Sequence, residues 1–305
     1  MSNSKLSIWI TAARLRTLPL SLAGIILGNG IAYSHGEFSV QIFILSLLTT
    51  IAFQVLSNLA NDYGDGMKGT DNEQRLGPSR VLQQGLLSPT EMKKGIIYVS
   101  IISLIFTILL ITVSFSINDL PIALFFLLLG IAAIISAIKY TVGNSAYGYF
   151  ALGDLFVFIF FGGVSVLGAH YLQSQSLDNS LVFLAVAIGL LSTAVLNLNN
   201  MRDVDNDRNS NKITIPILLG SVRSRYYHSF LVLFPFIMAG YYTFANEIGF
   251  YGYLYLIFLV PLGIHLKKVW LCQNPKSLDP ELKKVALITF FFSMLYVGGI
   301  ILSQL

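Results

Sequence analysis

The sequence consists mainly of long apolar stretches, and these stretches determine the class of fold that the chain can adopt. A helix that crosses a lipid bilayer needs roughly 20 mainly apolar residues. A chain that is 55% hydrophobic and 11% charged is too apolar for a soluble domain. About nine stretches have the required length and character: residues 18–33, 39–59, 95–115, 120–138, 149–171, 180–198, 228–245, 249–266 and 285–302. We therefore predict an all-α integral membrane protein with about nine transmembrane helices, surrounded by the lipid bilayer.

Basic residues are confined to one side of the predicted spans. All 19 Lys and Arg residues lie in the N-terminal segment or in the even-numbered connections. The only charged residues of the odd-numbered connections are acidic, namely Glu37, Asp119, Asp178 and Glu247. Lys and Arg beside membrane spans accumulate on the cytoplasmic side. The pattern therefore predicts a multi-pass protein with its N-terminus inside and its C-terminus outside.

Three other kinds of chemistry are disfavoured by the composition. The net charge of +4 is not accompanied by a basic–aromatic motif of the kind that binds nucleic acid. The single cysteine, Cys272, cannot form an intramolecular disulfide, and the four histidines lie far apart without metal-ligand spacing. We expect no nucleic-acid partner, no zinc site and no thiol chemistry.

Two predicted cytoplasmic loops, residues 58–94 and 197–227, are long and polar, whereas the outer loops are short. Function is expected in such loops. They follow spans two and six, and this four-span offset predicts two four-helix bundles around a cytoplasm-facing pocket, with a ninth helix outside them. Both bundles would belong to a single membrane domain over residues 1–305.

The first long loop begins with a cluster of oxygen-bearing side chains. If span two continues as a helix, Asn58, Asp62 and Asp65 share one face, and Asn61 lies beside them. Asp71 follows three glycines, which allow the backbone to turn back. We therefore predict that a third carboxylate faces the same point.

The second long loop begins with a similar cluster. Asn199, Asp203 and Asp207 are spaced at i, i+4 and i+8, so that they share one helical face, and Asn200 is adjacent. Like charges at this spacing repel one another. A cation is therefore expected to hold the two aspartates together.

Oxygen-only ligands in two clusters suit a hard cation, and Mg²⁺ is usually held by a few carboxylates together with substrate phosphates. The predicted Mg²⁺ ligands are Asp62, Asp65, Asp71, Asp203 and Asp207. Interleaved basic residues would bind the remaining oxygens of a diphosphate: Lys68, Arg75, Arg80, Arg202, Arg208 and Lys212. The alternative is that loop acids are simply solvated, and we prefer it for Glu73, Glu91, Asp205 and Asp279.

The acidic clusters resemble those of the UbiA-type intramembrane aromatic prenyltransferases, whose first motif is N-D-x-x-D and whose second motif is D-x-x-x-D. Asn61, Asp62 and Asp65 match the first motif, and Asp203 and Asp207 match the second. Finer features are similar to the menaquinone branch of that family: NDYGDGMKGTD followed by R-x-G-P-S-R, then YTVGNSAYGYFALGD, then NNMRDVDNDR followed by K-x-T. The resemblance covers nearly the whole chain.

This resemblance implies a UbiA-like fold and Mg²⁺-dependent transfer of a polyprenyl group from polyprenyl diphosphate to 1,4-dihydroxy-2-naphthoate. It also implies release of CO₂ and diphosphate, a demethylmenaquinol product and a location in the bacterial cytoplasmic (inner) membrane. The implied catalytic residues are Asp62, Asp65, Asp203 and Asp207. The implied substrate-binding residues are Asn58, Asn61, Lys68, Arg80, Asn199, Asn200, Arg202, Lys212, Arg16 and Asp154. The chain departs from the first motif at Gly69, where other members carry the third acid that we assign to Asp71.

Some residues allow two interpretations. Asp154 either favours a helix N-terminus or is functional, as acids within membrane helices often are. Arg14 and Arg16 either determine topology or contact the diphosphate or the acceptor carboxylate. Lys139 either extends toward the lipid headgroups or reaches the pocket from span four, and we prefer the first interpretation.

Other functions remain as alternatives. The runner-up acceptors are 4-hydroxybenzoate and homogentisate. A transporter would also have many spans, but its site should lie near the membrane midplane, whereas these acids lie at helix ends. A membrane phosphotransferase of the CDP-alcohol type would carry D-G-x-x-A-R, and here Asp65-Gly66 is followed by MKGT.

Overall fold

The computed structural model describes residues 4–305, and about four-fifths of the chain is helical. Nine helices within these residues are long and apolar enough to cross a membrane. They are α1 (Leu18–Ser34), α2 (Val40–Met67), α3 (Pro89–Ser114), α4 (Leu120–Lys139), α5 (Gly153–Ser174), α6 (Val182–Arg202), α7 (Ile215–Ala245), α8 (Phe250–Leu271) and α9 (Asp279–Ser303). Two short helices, Lys5–Ala13 and Val204–Asn209, precede α1 and follow α6. The prediction of an all-α protein with about nine spans is confirmed.

Helix α3 begins with a capping box. The Ser88 hydroxyl accepts a hydrogen bond from the Glu91 backbone N–H at 3.2 Å, and the Glu91 carboxylate accepts one from the Ser88 N–H at 3.0 Å. Pro89 occupies the first helical position, where no N–H is needed. The helix therefore starts six residues before the apolar stretch that predicted it.

Two helices extend into the predicted polar loops. Helix α2 continues to Met67, so Asn58 and both following aspartates lie on a helix as expected. Helix α7 begins at Ile215, and Gly220 interrupts it at φ 75°, a conformation that side chains other than glycine rarely adopt. Much of the second predicted loop is therefore helical.

The helices pack in two groups that share α1. Helices α2, α3 and α4 pack against one another, while α6 packs against α5, α7 and α9. Helix α9 also packs extensively against α1 and α8. The expectation that the ninth helix lies outside the bundles is wrong, because its Phe292 and Tyr296 are fully buried in the largest core cluster.

A series of hydrogen bonds between buried polar side chains joins α6 to α9. Asn197 Nδ2 lies 3.3 Å from His228 Nδ1, His228 Nε2 lies 2.8 Å from His265 Nε2, and His265 Nδ1 lies 2.7 Å from Glu281 Oε2. The carboxylate also accepts from Lys284 at 2.9 Å. Each of these contacts has one donor and one acceptor if His265 donates to the carboxylate, His228 donates to His265, and Asn197 donates to His228. This series of hydrogen bonds therefore fixes the relative positions of α6, α7, α8 and α9.

The connections after α2, α4, α6 and α8 and the N-terminal segment lie at one end of the bundle, which we call the polar end. The segment before α5 pairs there with the segment before α7. The Ala151 N–H donates to the Ile213 carbonyl at 2.9 Å, and the Ile213 N–H donates to the Tyr149 carbonyl at 3.1 Å. These bonds join the two halves of the chain at the polar end.

Candidate active site

The three acids of the first cluster are buried and close together at the polar end. Asp62 accepts hydrogen bonds from the N–H groups of Val81 and Leu82, at 3.2 and 3.4 Å. Arg80 Nη2 lies 3.6 Å from Asp65 Oδ2, and Arg80 Nε lies 3.5 Å from Asp71 Oδ2. A single guanidinium therefore joins two of the three carboxylates.

The predicted turn between Asp65 and Asp71 is present. Gly69 adopts φ +73°, and the N–H groups of Thr70 and Asp71 donate to the Asp65 carbonyl at 3.0 and 3.3 Å. Asp71 Oδ1 then lies 3.0 Å from Arg75 Nε. Burial raises the pKa of the Asp71 carboxyl above its ordinary value, and the two arginines oppose that shift.

The acids of the second cluster each have a basic partner. Arg202 donates to both carboxylate oxygens of Asp203, at 3.0 and 2.6 Å, to the Asn199 side chain at 2.7 Å, and to Asp279. Lys212 Nζ lies 3.5 Å from Asp207 Oδ1. Burial raises the pKa of Asp207 to about 6. Asp279, interpreted from the sequence as a solvated acid, therefore binds a residue of the second cluster.

The two long loops are in direct contact. Asn206 donates to the Thr70 carbonyl at 2.8 Å, although the two residues are separated by 136 positions. Gly77 of the first loop lies against Arg202 of the second, and a Cβ atom at Gly77 would lie 2.5 Å from Arg202 Nη2. The structure thus brings both acidic clusters to one place, as the sequence predicts.

Tyr149 lies at the centre of this contact and was not singled out from the sequence. Its hydroxyl lies 2.8 Å from Asp65 Oδ1 and 2.6 Å from Thr70 Oγ1. Lys68 Nζ lies over its ring, 3.8 Å from the centroid, and Lys212 Nζ lies 5.7 Å away. Burial and the neighbouring carboxylate raise the tyrosine pKa, so the hydroxyl remains protonated. Its position in YGYFALGD, directly before a span, is the only sequence signal that pointed to it.

Of the two N-terminal arginines, the structure places Arg14 at the site. Arg14 adopts φ 48° at the end of the first short helix, and its Nη2 donates to the Asn58 carbonyl at 3.0 Å. Asn58 itself donates to the Ala13 carbonyl and to Thr17 Oγ1, at 2.8 and 3.0 Å. Arg16 is exposed. The N-terminal segment is thereby fixed against α2.

The other predicted residues have distinct surroundings. Asn61 accepts a weak hydrogen bond from Thr141, and Asn200 is buried. Asp154 is buried in the first turn of α5 and accepts a hydrogen bond from Tyr227 at 3.0 Å, so its position fits both interpretations. The residues with exposed side chains are Lys139, Glu73, Asp205 and Arg208.

The donors and acceptors at the polar end suit a metal bound to an anion. Within residues 4–305, no three acidic, histidine or cysteine side chains form a group ready to hold a metal ion. Buried acceptor oxygens nevertheless lack hydrogen-bond partners on Asp207, Asn200 and Asn206, as do buried donor nitrogens on Arg14 and Arg80. Unpaired buried polar atoms are costly. A hard cation would satisfy the oxygens and a phosphate group would satisfy the guanidinium nitrogens, so these residues fit Mg²⁺ and a diphosphate.

An apolar cavity of about 330 Å³ adjoins the site and extends away from the polar end. Asn58 and Asn61 line its polar end, and Gln54, which is hydrogen-bonded to Ser21, lies deeper. The remaining lining is mainly aliphatic and aromatic and comes from α1 to α6. The cavity can therefore hold a long apolar group whose polar end lies among the charged loops.

Comparison with known proteins agrees with this geometry. The model of the UbiA prenyltransferase family matches residues 21–295. The 1,4-dihydroxy-2-naphthoate octaprenyltransferases of Haemophilus influenzae and Escherichia coli are 39% and 38% identical to the chain, over 99% of it and over 98% and 97% of their own lengths.

Solved structures share the fold. A UbiA homologue from Aeropyrum pernix has a TM-score of 0.65 at 18% identity, over 95% of this chain and 98% of that one. A UbiA homologue from Archaeoglobus fulgidus, bound to DMAPP and Mg²⁺, has a TM-score of 0.56 at 15% identity, over 93% and 98% of the two chains. On its sequence match and on its architecture, the chain belongs to the UbiA prenyltransferase family.

Proposed function

We propose that the chain transfers a polyprenyl group from polyprenyl diphosphate to 1,4-dihydroxy-2-naphthoate in a Mg²⁺-dependent reaction. Membership of the family supports the reaction class, and the names of the full-length relatives support the acceptor. The observation that carries the proposal is the set of buried guanidinium nitrogens and amide and carboxylate oxygens that have no hydrogen-bond partner, beside an apolar cavity.

The loops supply the groups that a departing diphosphate needs. Cleavage of the bond between the prenyl C1 and the diphosphate oxygen leaves a diphosphate anion and an allylic cation, so the site must stabilise the anion. Bound Mg²⁺ would neutralise part of that charge, and the residues that would hold it are Asp62, Asp65, Asp71, Asp203 and Asp207. The residues that would bind the remaining phosphate oxygens are Lys68, Arg80, Arg202 and Lys212, with Arg14 in addition.

The cavity supplies the second requirement, which is exclusion of water from the allylic cation. Tyr140 and Tyr147 line it near its polar end, and their rings lie 5.4 Å apart. Burial raises the pKa of Tyr140 to about 12, so its hydroxyl stays neutral. Aromatic faces attract cations, and these two rings are suitably placed to stabilise the developing charge.

The acceptor reacts at the carbon that bears its carboxyl group. The new carbon–carbon bond forms there, the carboxyl group leaves as CO₂, and a demethylmenaquinol results. Asn58, Asn61 and Gln54 provide polar contacts along the cavity for the acceptor's oxygens. The charged site lies at helix ends and not at the membrane midplane, which disfavours the transporter alternative.

The decisive experiment offers membranes containing the protein a labelled prenyl diphosphate with each candidate acceptor, with Mg²⁺ or with a chelator. We expect a labelled product with 1,4-dihydroxy-2-naphthoate, and equimolar CO₂ from a carboxyl-labelled acceptor. A product formed only with 4-hydroxybenzoate or only with homogentisate would overturn the assignment of the acceptor. Full activity in the presence of the chelator would overturn the Mg²⁺ dependence.

We also infer that the polar end faces the cytoplasm of a bacterial inner membrane, since it carries the basic residues. Single cysteines at Ser176 and Asn209, in a Cys272→Ser background, test this orientation with a membrane-impermeant thiol reagent on intact cells. The cysteine at position 176 should react, and the one at position 209 should be protected until the membrane is opened. The reverse labelling would invert the orientation.

A further inference from the structure

One wall of the cavity is polar, although most of its lining is apolar. Every residue of α2 that lines the cavity, except Phe53, carries a hydroxyl or an amide group. Helices α4 and α5 contribute mainly aliphatic and aromatic side chains. A ligand with oxygen atoms on an aromatic ring would therefore bind along α2, while an apolar chain would bind along α4 and α5.

The hydroxyl groups of the polar wall are of two kinds. Those of Ser46 and Thr49 donate to backbone carbonyls one turn earlier, at 2.7 Å each. Within residues 4–305, the hydroxyl groups of Thr50 and Ser57 have no hydrogen-bond partner, although both residues line the cavity. These two hydroxyl groups are therefore available to a ligand.

Two neighbouring amide side chains fix each other's orientation on this wall. Asn58 Nδ2 donates to the Ala13 carbonyl at 2.8 Å, and a carbonyl can only accept. Asn58 Oδ1 therefore faces Gln54 and accepts from Gln54 Nε2 at 3.2 Å. Gln54 Oε1 in turn accepts from the Ser21 hydroxyl. The orientation of the Gln54 amide is thus set by its neighbours.

This arrangement leaves one amide donor for a ligand. The second N–H of Asn58 Nδ2 donates to Thr17 Oγ1 at 3.0 Å, so Asn58 has no donor left. Gln54 Nε2 also carries two N–H groups. Only one of them is bonded to a residue in the described part of the chain, and Gln54 lines the cavity.

The spacing of the available groups fits a ring with two oxygen atoms. Gln54 and Ser57 are three residues apart on one face of α2, so they differ in level by about 4.5 Å. The two oxygen atoms of a 1,4-dihydroxy aromatic ring are separated by roughly one helical turn of about 5.4 Å. One face of α2 can therefore bind both oxygen atoms.

The depth of Gln54 decides which oxygen atom it meets. Gln54 precedes Asp62 by eight residues, which is about 12 Å along α2. In the proposed reaction the carboxyl-bearing carbon must meet the prenyl C1, next to the diphosphate at the acidic clusters. The 1-hydroxyl group is adjacent to that carbon, whereas the 4-hydroxyl group is farther from it. The 4-oxygen is therefore the one that lies deeper, toward Gln54.

We propose that the free N–H of Gln54 donates to the 4-oxygen of the acceptor, while Ser57 binds its 1-hydroxyl group, and that Gln54 thereby selects a dihydroxynaphthoate over an acceptor with one ring hydroxyl. The proposal rests on the proposed function. 4-Hydroxybenzoate has a single ring hydroxyl and leaves one of the two groups unpaired. A site that hydrogen-bonds a substrate oxygen rejects a ligand that lacks it, because the polar group of the site is then left without a partner.

Equilibrium binding of two naphthoates tests this contact on the purified full-length protein, without prenyl diphosphate. The ligands are 1,4-dihydroxy-2-naphthoate and 1-hydroxy-2-naphthoate, which lacks only the 4-hydroxyl group, and naphthoate fluorescence under anaerobic conditions reports binding. We expect the unmodified protein to bind the dihydroxy compound about 10-fold more tightly. Gln54→Leu should lose about this factor for the dihydroxy compound and keep its affinity for the other.

Two serine variants provide the comparison. Ser57→Ala should weaken the binding of both naphthoates by the same factor, because both carry the 1-hydroxyl group. Ser46→Ala is the matched control, since its hydroxyl also lines the cavity but is bound to the Ile42 carbonyl, and it should change neither affinity. Loss of selectivity in Thr50→Val but not in Gln54→Leu would put the 4-oxygen one turn deeper and overturn the proposal.

The ratio of the two affinities separates the contact from a structural effect. If Gln54→Leu merely loosened the packing of α1 on α2, both naphthoates would bind more weakly by the same factor. That result, or equal binding of both naphthoates by the unmodified protein, would overturn this proposal and leave the proposed function intact. An unmodified protein that neither bound nor prenylated 1,4-dihydroxy-2-naphthoate would overturn the acceptor in the proposed function, and this inference with it.

Discussion

Replacing Tyr149 by phenylalanine removes one oxygen atom from the point at which the two acidic loops meet. That oxygen donates a hydrogen bond either to Asp65 at 2.8 Å or to Thr70 at 2.6 Å, and the raised pKa of the buried hydroxyl keeps it protonated. The ring and its contact with Lys68 at 3.8 Å are retained. The substitution therefore tests the hydroxyl alone.

The size of the effect follows from what remains bound to Asp65. Without the phenol, its nearest side-chain partner is Arg80 at 3.6 Å, which is too long for a strong hydrogen bond. A partner that orients a metal-ligating carboxylate is worth about 10- to 100-fold in metal affinity or activity. Loss of one hydrogen bond to a charged group costs about 1.5–3 kcal/mol, which corresponds to the same range. We expect kcat/KM and Mg²⁺ affinity to fall together by about 10- to 100-fold.

The assay is prenyl transfer at a series of Mg²⁺ concentrations, with Tyr147→Phe as the matched control. The Tyr147 hydroxyl donates to the Ser136 carbonyl at 2.9 Å, away from the carboxylates. That variant should keep its Mg²⁺ dependence. If Tyr149→Phe retained the Mg²⁺ dependence and kcat/KM of the unmodified protein, the role assigned to the phenol would be refuted.

Three further predictions address the site and the fold. Asp62→Ala and Asp203→Ala should nearly abolish turnover, while size-exclusion profiles and membrane insertion stay unchanged; an active Asp62→Ala protein would contradict the role of the first cluster. Glu281→Ala leaves the buried His265 without its acceptor and should lower the free energy of unfolding by about 3 kcal/mol. Lys284→Ala removes a half-exposed partner and should lower it by less than about 1 kcal/mol. Equal shifts in melting temperature for the two variants would argue against a stabilising role for the hydrogen bonds from Asn197 to Glu281. Ser88→Ala should cost about 1 kcal/mol through loss of the α3 cap, while Ser100→Ala, within the same helix, should cost less; the reverse order would argue against the capping box.

Features encoded within a short stretch of sequence were predictable. The nine spans follow from the length of the apolar runs, and the shared face of Asp62 and Asp65 follows from helical spacing. Each requires knowledge of only one continuous stretch of sequence. The convergence of the two acidic clusters was inferred from their equivalent positions four spans apart.

Features that depend on distant contacts were not predictable. Arg14 and Arg16 are equivalent in the sequence, and a left-handed residue at the end of the first short helix decides which of them reaches α2. Tyr149 is one of 15 tyrosines, and only its position directly before a span distinguishes it in the sequence. The burial of α9 depends on its packing against α1, at the opposite end of the chain.

The hydrogen bond between Asn206 and Thr70 determines when the site can assemble during synthesis of the chain. The ribosome makes the first acidic loop long before its partner, since 136 positions separate the two residues. Within the first acidic loop, the guanidinium of Arg80 contacts both Asp65 and Asp71. Two of the three acids of the first cluster thus have a cationic partner within the same half of the chain. The mature site forms only when the segment from Asn206 to Ile213 has been translated and has paired with the residues before α5.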